Sequence, residues 1–173
     1  NIFLLSYEKS HELNNADLME KIYNKVSSAN ISWVSLKYHK QLSILSTSFD
    51  IFRGFLLSFW LIRKHKIKII HARSYVPSVI AISLKKFLKI HFIFDMRGFW
   101  ADERVDGGLW KKKSIIFSIA KWFEKKFLEN ADHIVSLTNA GIKVMKEFPY
   151  LKNKMPAYSV IPTCADLEIF KIL

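Results

Sequence analysis

Short apolar runs alternate with helix-length segments along all 173 residues of the chain. Each run is continuously hydrophobic, which is typical of strands that are covered on both faces. Strands that alternate with helices and are covered on both faces lie parallel in a sheet, and right-handed crossovers then make that sheet doubly wound. The pattern therefore predicts an α/β fold with a doubly wound parallel sheet. The predicted strands are residues 2–7, 31–38, 67–72, 91–95, 132–137 and 158–161.

The segments between the runs carry signals of helix starts and amphipathic faces. Asn14 or Asn15 is placed to cap a first helix that ends near residue 28, and Thr138 is placed to cap the last one. Other helices are predicted over residues 51–66, 77–88, 113–130 and 140–148, and loops over residues 39–48 and 96–112. The helix over 113–130 is expected to turn an apolar stripe toward the sheet, namely Ile116, Ile119, Ala120, Phe123 and Phe127.

Lysine and arginine outnumber aspartate and glutamate by 27 to 15, which gives a formal net charge of +12. Such an excess predicts an anionic partner: a phosphorylated ligand, lipid headgroups or nucleic acid. A composition rich in Lys, Ile, Phe and Asn accounts for part of the excess without any function. Nucleic acid is not an expected partner, because the chain has no RNA-binding motif and no basic, aromatic strand face.

The chain carries no signal for export or for crossing a membrane. Its uncharged runs, such as residues 74–84, are well short of the ~18 residues that span a bilayer. The lone Cys164 excludes an internal disulfide and is typical of a reducing compartment; no base lies beside it, so we expect it to pack within a hinge. The chain begins and ends abruptly inside apolar runs. We therefore expect a cytoplasmic fragment of a longer protein.

The stretch from His91 to Trp110 joins a strand to a cluster of charged, aromatic and glycine residues. Open α/β sheets bind their ligands beyond the carboxyl ends of the strands, so the residues that follow Asp95 are expected to line a crevice. Trp100 and Trp110 are expected to anchor this segment.

Four motifs resemble those of GT4-type glycosyltransferases of the GT-B fold, and they occur in the same order. The last resembles the connection V-I-P-N-G-V-D-x-x-x-F and is the most specific, because its Pro, Asp and Phe keep their spacing. The third resembles the strand A-D-x-I-V-x-x-S/T, and the second resembles the acceptor-side loop. The matching segments are residues 71–74, residues 94–100 with Asp102 and Glu103, residues 131–138, and residues 160–170.

The resemblance implies one Rossmann-like half of a GT-B fold. Residues 1–162 would bind the acceptor, and residues 163–173 would begin the connection to a nucleotide-sugar-binding domain that this chain lacks. The full protein would transfer a sugar, with retained anomeric configuration, from a nucleotide-sugar donor to a glycan or lipid-linked acceptor. Bacterial cell-surface polysaccharide synthesis is the expected setting, and the isolated chain is expected to be inactive. Neither a cofactor nor a metal is expected, because the six histidines lack metal-ligand spacing.

By the same resemblance, the acceptor-binding residues are Arg73, Ser74, Asp95, Arg97, Gly98, Asp102 and Glu103. Arg97 could hold a phosphate or sugar hydroxyls through its planar guanidinium, or it could pair with Asp95 or Glu103. Asp95, also a candidate catalytic residue, could contact an acceptor hydroxyl or only orient Arg97. The structural alternatives are helix capping for Arg73 and Ser74 and loop order for Asp102 and Glu103, whereas Gly98 serves backbone conformation.

The sequence departs from the family at three places. Residues 6–10 lack the glycine-rich turn that many members carry after the first strand. Asp95 and Arg97 stand in the region where many members have a histidine, and Thr163 replaces the Asn of the I-P-N motif.

A non-catalytic Rossmann-like module that binds anionic membrane or nucleic acid is the alternative function. The basic side of the helix over residues 113–130 could lie on the inner face of the plasma membrane as a peripheral contact, or it could be an ordinary solvated face. The predicted membrane-facing residues are Lys111, Lys112, Lys113, Lys121 and Lys125.

Overall fold

The computed structural model describes residues 1–39 and 43–164 of the chain, which divides into two compact units, Asn1–His65 and Lys66–Leu173. The described residues form a two-stranded parallel sheet in the first unit and a four-stranded parallel sheet in the second. The predicted parallel α/β architecture is confirmed, but the strands of the described residues form two sheets where one was expected. Periodicity identifies strands without selecting their neighbours, because every residue other than proline offers the same backbone donor and acceptor.

The first unit contains a strand–helix–strand crossover followed by a long helix. Its elements are β1 (Ile2–Glu8), α1 (Ser10–Leu13), α2 (Ala16–Ser28), β2 (Ile31–Lys37) and α3 (Ser43–His65). β1 and β2 pair in parallel, with Leu5 opposite Val34. Of the two predicted caps for α2, the structure selects Asn15, whose side chain accepts a 3.1 Å hydrogen bond from the N–H of Leu18.

Helix α3 begins at Ser43, so the predicted loop over residues 39–48 is wrong from Ser43 onward; residues 40–42 lie outside the described part of the chain. The polar composition of its first half hid the helical period. Asp50 in that half is 3% exposed and accepts hydrogen bonds from the N–H (2.9 Å) and Nδ1 (2.7 Å) of His39. Tyr7 donates to the carbonyl of Asp50 at 2.7 Å. Burial, reinforced by the charge of Asp50, raises the pKa of Tyr7 to about 12.

The second unit alternates strands and helices throughout. Its elements are β3 (Ile69–Arg73), α4 (Tyr75–Phe87), β4 (His91–Met96), α5 (Trp100–Asp106), α6 (Ile115–Asn130), β5 (His133–Ser136), α7 (Asn139–Glu147) and β6 (Ala157–Val160). The sheet order is β3-β4-β5-β6, and every neighbouring pair is parallel. The carboxyl ends of all these strands therefore lie at one edge of the sheet, where the sequence predicts a ligand site.

Aromatic side chains fill the core of the second unit. Phe92 and Phe94 of β4 and Phe127 of α6 are fully buried, and the rings of Phe94 and Phe127 lie 5.4 Å apart. Tyr75 meets both of these rings edge-on. Each fully buried aromatic side chain of this kind contributes roughly 1.5–3 kcal/mol to folding, so β4 and α6 are held together firmly.

The second unit contains one helix that was not predicted and one that begins clearly earlier than predicted. The expected loop over residues 96–112 contains α5, which has no side-chain cap at its start and depends on tertiary contacts such as the full burial of Ala101. The acidic first turn of α5, Asp102 and Glu103, is a signal that could have revealed it. Helix α4 begins at Tyr75, before the predicted start at Pro77. The proline is tolerated inside the first turn because the N–H groups of that turn have no intrahelical partner.

The apolar stripe predicted for α6 is wrong in its orientation. Ala120 and Phe127 are buried as expected, but Ile116 and Ile119 are exposed, and Glu124 is fully buried instead. At 100° per residue, the predicted stripe is centred about 80° around the helix from Glu124. A buried polar network around Glu124 accounts for this rotation.

Asp132, the residue before β5, links helix α4 to strand β4. It accepts from Lys85 Nζ at 2.6 Å and from the N–H of Phe92 at 2.7 Å. Burial alone raises the pKa of Asp132, but the hydrogen bonds from Lys85 and Phe92 outweigh burial and hold that pKa below its ordinary value of 3.8.

We expect Asp132→Asn to lower the free energy of unfolding by about 1 kcal/mol at pH 7, a figure reduced for partial exposure of the carboxylate. A depressed folded-state pKa stabilises the fold above the unfolded-state pKa, and that contribution is lost as pH falls through the folded-state pKa. Urea unfolding at several pH values should therefore show the two proteins converging below about pH 4. A difference at pH 2.5 as large as the difference at pH 7 would contradict this account.

Candidate functional site

The structure brings three of the predicted site residues together at the carboxyl ends of β3 and β4. Arg73 stands opposite Asp95 in the strand register. The N–H of Ser74 donates a 3.0 Å hydrogen bond to the carbonyl of Asp95. The predicted edge of the sheet is therefore formed where the neighbouring strands β3 and β4 end.

Asp95 is the buried carboxylate of this edge, with 8% of the residue exposed. Its Oδ2 lies 3.3 Å from Nε2 of His71, while its buried Oδ1 has no hydrogen-bond partner among the described residues. An unpaired buried carboxylate oxygen is costly unless something supplies a donor, so Oδ1 can accept a hydrogen bond from a hydroxyl or N–H. Sequence reasoning missed His71, although it lies two residues before Arg73 and thus on the same face of β3.

Ser74 has strained backbone. Its φ of 73° and ψ of −173° lie in a region that only glycine adopts readily, and its side chain makes no cap hydrogen bond to α4. The Ser74 N–H bond to Asp95 and the 2.6 Å bond from Ser78 Oγ to the Ser74 carbonyl hold this conformation. The strain turns the chain abruptly from β3 into α4 next to Asp95.

Arg97 points toward the end of the described chain. Its Nη2 donates a 3.1 Å hydrogen bond to Oγ1 of Thr163, which follows β6. Within residues 1–39 and 43–164, Arg97 has no ion pair with Asp95 or Glu103, the two structural alternatives that the sequence left open. Arg97 thus links the segment after β4 to the segment after β6.

Helix α5 places two predicted acidic residues in different surroundings. The Glu103 carboxylate packs against Gly98, in the space that a Cβ atom on this glycine would occupy. Asp102 instead pairs with Lys121 of α6 at 2.8 Å. Gly98 therefore serves the approach of Glu103, and Asp102 attaches α5 to α6.

A buried polar network fixes these helices around the site. Glu124 of α6 is fully buried and accepts hydrogen bonds from Tyr75 of α4 and from Lys121, which also holds Asp102. Burial and the charge of Glu124 raise the pKa of Tyr75 far above its ordinary value. Burial alone lowers the pKa of Lys121, but the hydrogen bonds to Asp102 and Glu124 more than offset this and leave it raised. Sequence reasoning missed Tyr75 and Glu124.

Aromatic rings complete the support of α5. Trp100 lies 5.2 Å from the ring of Tyr75 and meets Trp110 edge-on at 4.9 Å. The guanidinium of Arg104 lies over Trp100 at 5.5 Å. The predicted anchoring role of the two tryptophans is confirmed by these contacts, which hold both ends of the segment that carries Asp102 and Glu103.

Comparison with known proteins decides the family of this chain. The sequence pattern of Glycosyltransferase Family 4 matches residues 31–169. The chain belongs to glycosyltransferase family 4. No curated protein matches it significantly.

A solved structure shares the fold. The crystal structure of a glycosyltransferase from Rickettsia africae ESF-5 aligns over 99% of this chain with a TM-score of 0.52 and 15% sequence identity. The chain spans 45% of the length of that structure. The α/β fold of this family 4 chain is therefore Rossmann-like.

The lysines predicted to face a membrane have different surroundings in this family 4 chain. Lys111, Lys112 and Lys113 are exposed. Lys121 instead pairs with Asp102 and Glu124 and lies over the rings of Phe99 and Phe148, so it is part of the α5–α6 packing. Lys125 lies 3.7 Å from Glu129 and over the ring of Tyr150 at 5.1 Å.

Cys164 is exposed, which does not agree with the predicted hinge packing; its Sγ lies 3.7 Å from the carbonyl of Pro162. In the described ranges, no three His, Cys, Asp or Glu side chains are grouped to hold a metal ion. No helix in those ranges combines the length and the apolar content needed to cross a bilayer.

We expect Ser74→Gly to raise the free energy of unfolding by about 1 kcal/mol, because glycine adopts this backbone without strain while its more flexible unfolded chain offsets part of the gain. Ser74→Ala keeps the strain and is the matched control, with a change within ~0.5 kcal/mol. Thermal unfolding of both variants measures the difference. Equal stabilities for the Gly and Ala variants would show that the strain has no energetic weight.

Removing Lys121 should test the buried network. We expect Lys121→Met to cost about 3 kcal/mol in denaturant unfolding, because it leaves the buried Glu124 carboxylate without its cation. Adding Glu124→Gln to that variant should recover more than ~1 kcal/mol, since the uncompensated charge is gone. Lys125→Met, on the same helix, is the control and should change stability by less than ~0.5 kcal/mol. A double variant less stable than Lys121→Met would contradict the assignment.

Proposed function

We propose that this chain is the acceptor-binding half of a GT-B glycosyltransferase whose nucleotide-sugar donor binds a second domain. The family match supports sugar transfer, and the chain's 45% share of the Rickettsia structure is what one half of a two-domain enzyme would cover. Transfer with retained configuration to a glycan or lipid-linked acceptor, in bacterial cell-surface polysaccharide synthesis, is part of the proposal. A cytoplasmic location of the site is also part of the proposal.

The observation that carries the proposal is the free Oδ1 of Asp95. This oxygen is buried at the edge of the sheet where the strand order predicts a ligand site, and it has no partner among the described residues. A sugar hydroxyl would supply the missing hydrogen bond, and one made to an ionised carboxylate is about twice as strong as a neutral one. His71, more than half exposed beside Oδ2, would hold the carboxylate in place. Asp95 thereby selects and orients the acceptor hydroxyl that attacks the donor.

The other strand-end residues surround this carboxylate. Arg73 and Ser74 would contact the acceptor from β3, and Glu103 with Gly98 would contact it from the segment after β4. Arg97, bonded to Thr163, would transmit the position of the segment after β6 to this site. Asp102 is committed to Lys121 and would act only by holding α5.

A non-catalytic module that binds anionic membrane is the second candidate. The net charge of +12 and the exposed lysines before α6 favour it. The two candidates differ in what Asp95 does, because a membrane-binding module has no use for a buried carboxylate at the strand edge.

Asp95→Asn in the full-length protein separates them. We expect a drop of roughly 10- to 100-fold in kcat/KM for the acceptor with the KM for the nucleotide sugar unchanged, since one charged hydrogen bond is weakened. Asp106→Asn, an exposed carboxylate at the end of α5, is the control and should leave transfer unchanged. Nucleotide release with and without acceptor gives the rates, and NMR of the product gives its anomeric configuration.

Two outcomes would count against the proposal. If Asp95→Asn transferred sugar at the wild-type rate, Asp95 would not take part in acceptor binding. A rise in the donor KM with an unchanged acceptor KM would place the nucleotide sugar, and not the acceptor, at this edge.

A further inference from the structure

Helix α6 has a second apolar face, which the fold leaves in solvent. Ile115, Ile119 and Trp122 are 80%, 52% and 55% exposed, and their i, i+4, i+7 spacing puts them on one side of the helix. At 100° per residue, Ile115 and Trp122 lie about 180° and 160° around the helix from the buried Glu124. The exposed face is therefore a continuous stripe on the side away from the core.

The stripe lines a shallow groove of about 490 Å³ with Lys113, Ser118 and Phe123. Leu109, 65% exposed, lies shortly before it in the chain. An apolar surface of this kind on a soluble domain marks an interaction site, because scattered single apolar residues would not form a groove.

The charge around the N-terminal end of this stripe is positive. Lys111, Lys112 and Lys113 are exposed directly before α6, and the first turn of α6 contains no acidic residue. Helix N-termini normally favour acidic residues, since the helix dipole places partial positive charge there. With three lysines at this end and no acidic residue in the first turn, the positive charge here would attract an external anion.

We propose that this surface, made of Lys111, Lys112, Lys113, Ile115, Ile119 and Trp122, docks the protein on an anionic lipid bilayer. The apolar stripe lies in the boundary between headgroups and acyl chains, where a tryptophan is favoured, and the lysines contact the negative headgroups. The helix lies in the plane of the membrane and does not cross it.

The charges argue against a second copy of the chain as the occupant. A two-fold contact through antiparallel α6 helices would place the three lysines of one copy near Lys125 and Lys126 of the other, where Glu129 pairs with both lysines and leaves one net positive charge. Net positive charge on both sides of such a contact is unfavourable, whereas an anionic bilayer is complementary to Lys111, Lys112 and Lys113. Nucleic acid would leave the isoleucines and the tryptophan without an apolar partner.

Vesicle binding by the purified protein tests the proposal. We expect it to co-sediment with vesicles of phosphatidylglycerol and phosphatidylcholine and not with pure phosphatidylcholine. Replacing Lys111, Lys112 and Lys113 with Gln should weaken partitioning roughly 100-fold, from about fivefold per lysine. The control triple, Lys86→Gln, Lys152→Gln and Lys154→Gln, removes the same net charge from other exposed positions and should retain nearly full binding.

The apolar stripe is tested separately. Ile119→Glu should weaken binding at least ~10-fold, and Val144→Glu, a change of the same kind on the exposed side of α7, should not. The tryptophan emission should shift to shorter wavelength on vesicle addition, and Trp122→Phe should abolish the shift while Trp60→Phe, at another exposed tryptophan, retains it. Circular dichroism confirms that each variant is folded.

Equal binding to neutral vesicles, equal losses in the two lysine triples, or an unaffected Ile119→Glu variant would each overturn the proposal. Self-association that Ile119→Glu abolishes, without vesicle binding, would assign the stripe to a second copy and overturn it as well. The inference rests on the surface of α6 and not on the proposed transfer reaction. Vesicle binding without sugar transfer would support this surface and would contradict the proposed enzymatic function.

Discussion

The second unit depends on one buried charge, the carboxylate of Glu124. A fully buried carboxylate is tolerated only when its oxygens are paired, and here Tyr75 and Lys121 supply the partners. Because Tyr75 begins α4 and Lys121 also holds Asp102, this single group ties α4 and α5 to α6. A hydrophobic residue at position 124 could also pack in the core, but it would make no hydrogen bonds that fix the relative positions of these three helices.

The candidate site inherits its order from this network. Ser74 immediately precedes Tyr75, so fixing the tyrosine hydroxyl also fixes the strained residue that bonds the Asp95 carbonyl. Glu103 is next to Asp102 in α5, so the ion pair with Lys121 limits where the Glu103 carboxylate can lie beside Gly98. Asp95 can then keep a buried oxygen that has no partner among the described residues, because surrounding contacts offset the stability that this oxygen costs.

Sequence patterns predicted what depends on local chemistry. The six strands, a cap at Asn14 or Asn15, the cap at Thr138, and the gathering of Arg73, Ser74 and Asp95 at one edge follow from apolar runs, capping residues and parallel order. Contacts between distant residues were not predictable, because His71 with Asp95 and Tyr75 with Glu124 depend on which strands and helices become neighbours. Helix α5 was missed although its acidic first turn is a local signal, because its seven residues are too few to form a helix without burial and the ion pair of Asp102 with the distant Lys121.

The orientation of α6 shows how a polar contact can override hydrophobic patterning. Two apolar stripes compete to face the sheet, and hydropathy alone gives no reason to bury a glutamate in place of an isoleucine. The bonds from Tyr75 and Lys121 to Glu124 fix the rotation of the helix, and Ala120, Phe127 and Leu128 are buried beside it. Ile115, Ile119 and Trp122 are then held on the opposite side by the same bonds. The network that orders the candidate site thus also determines which apolar face of α6 remains exposed.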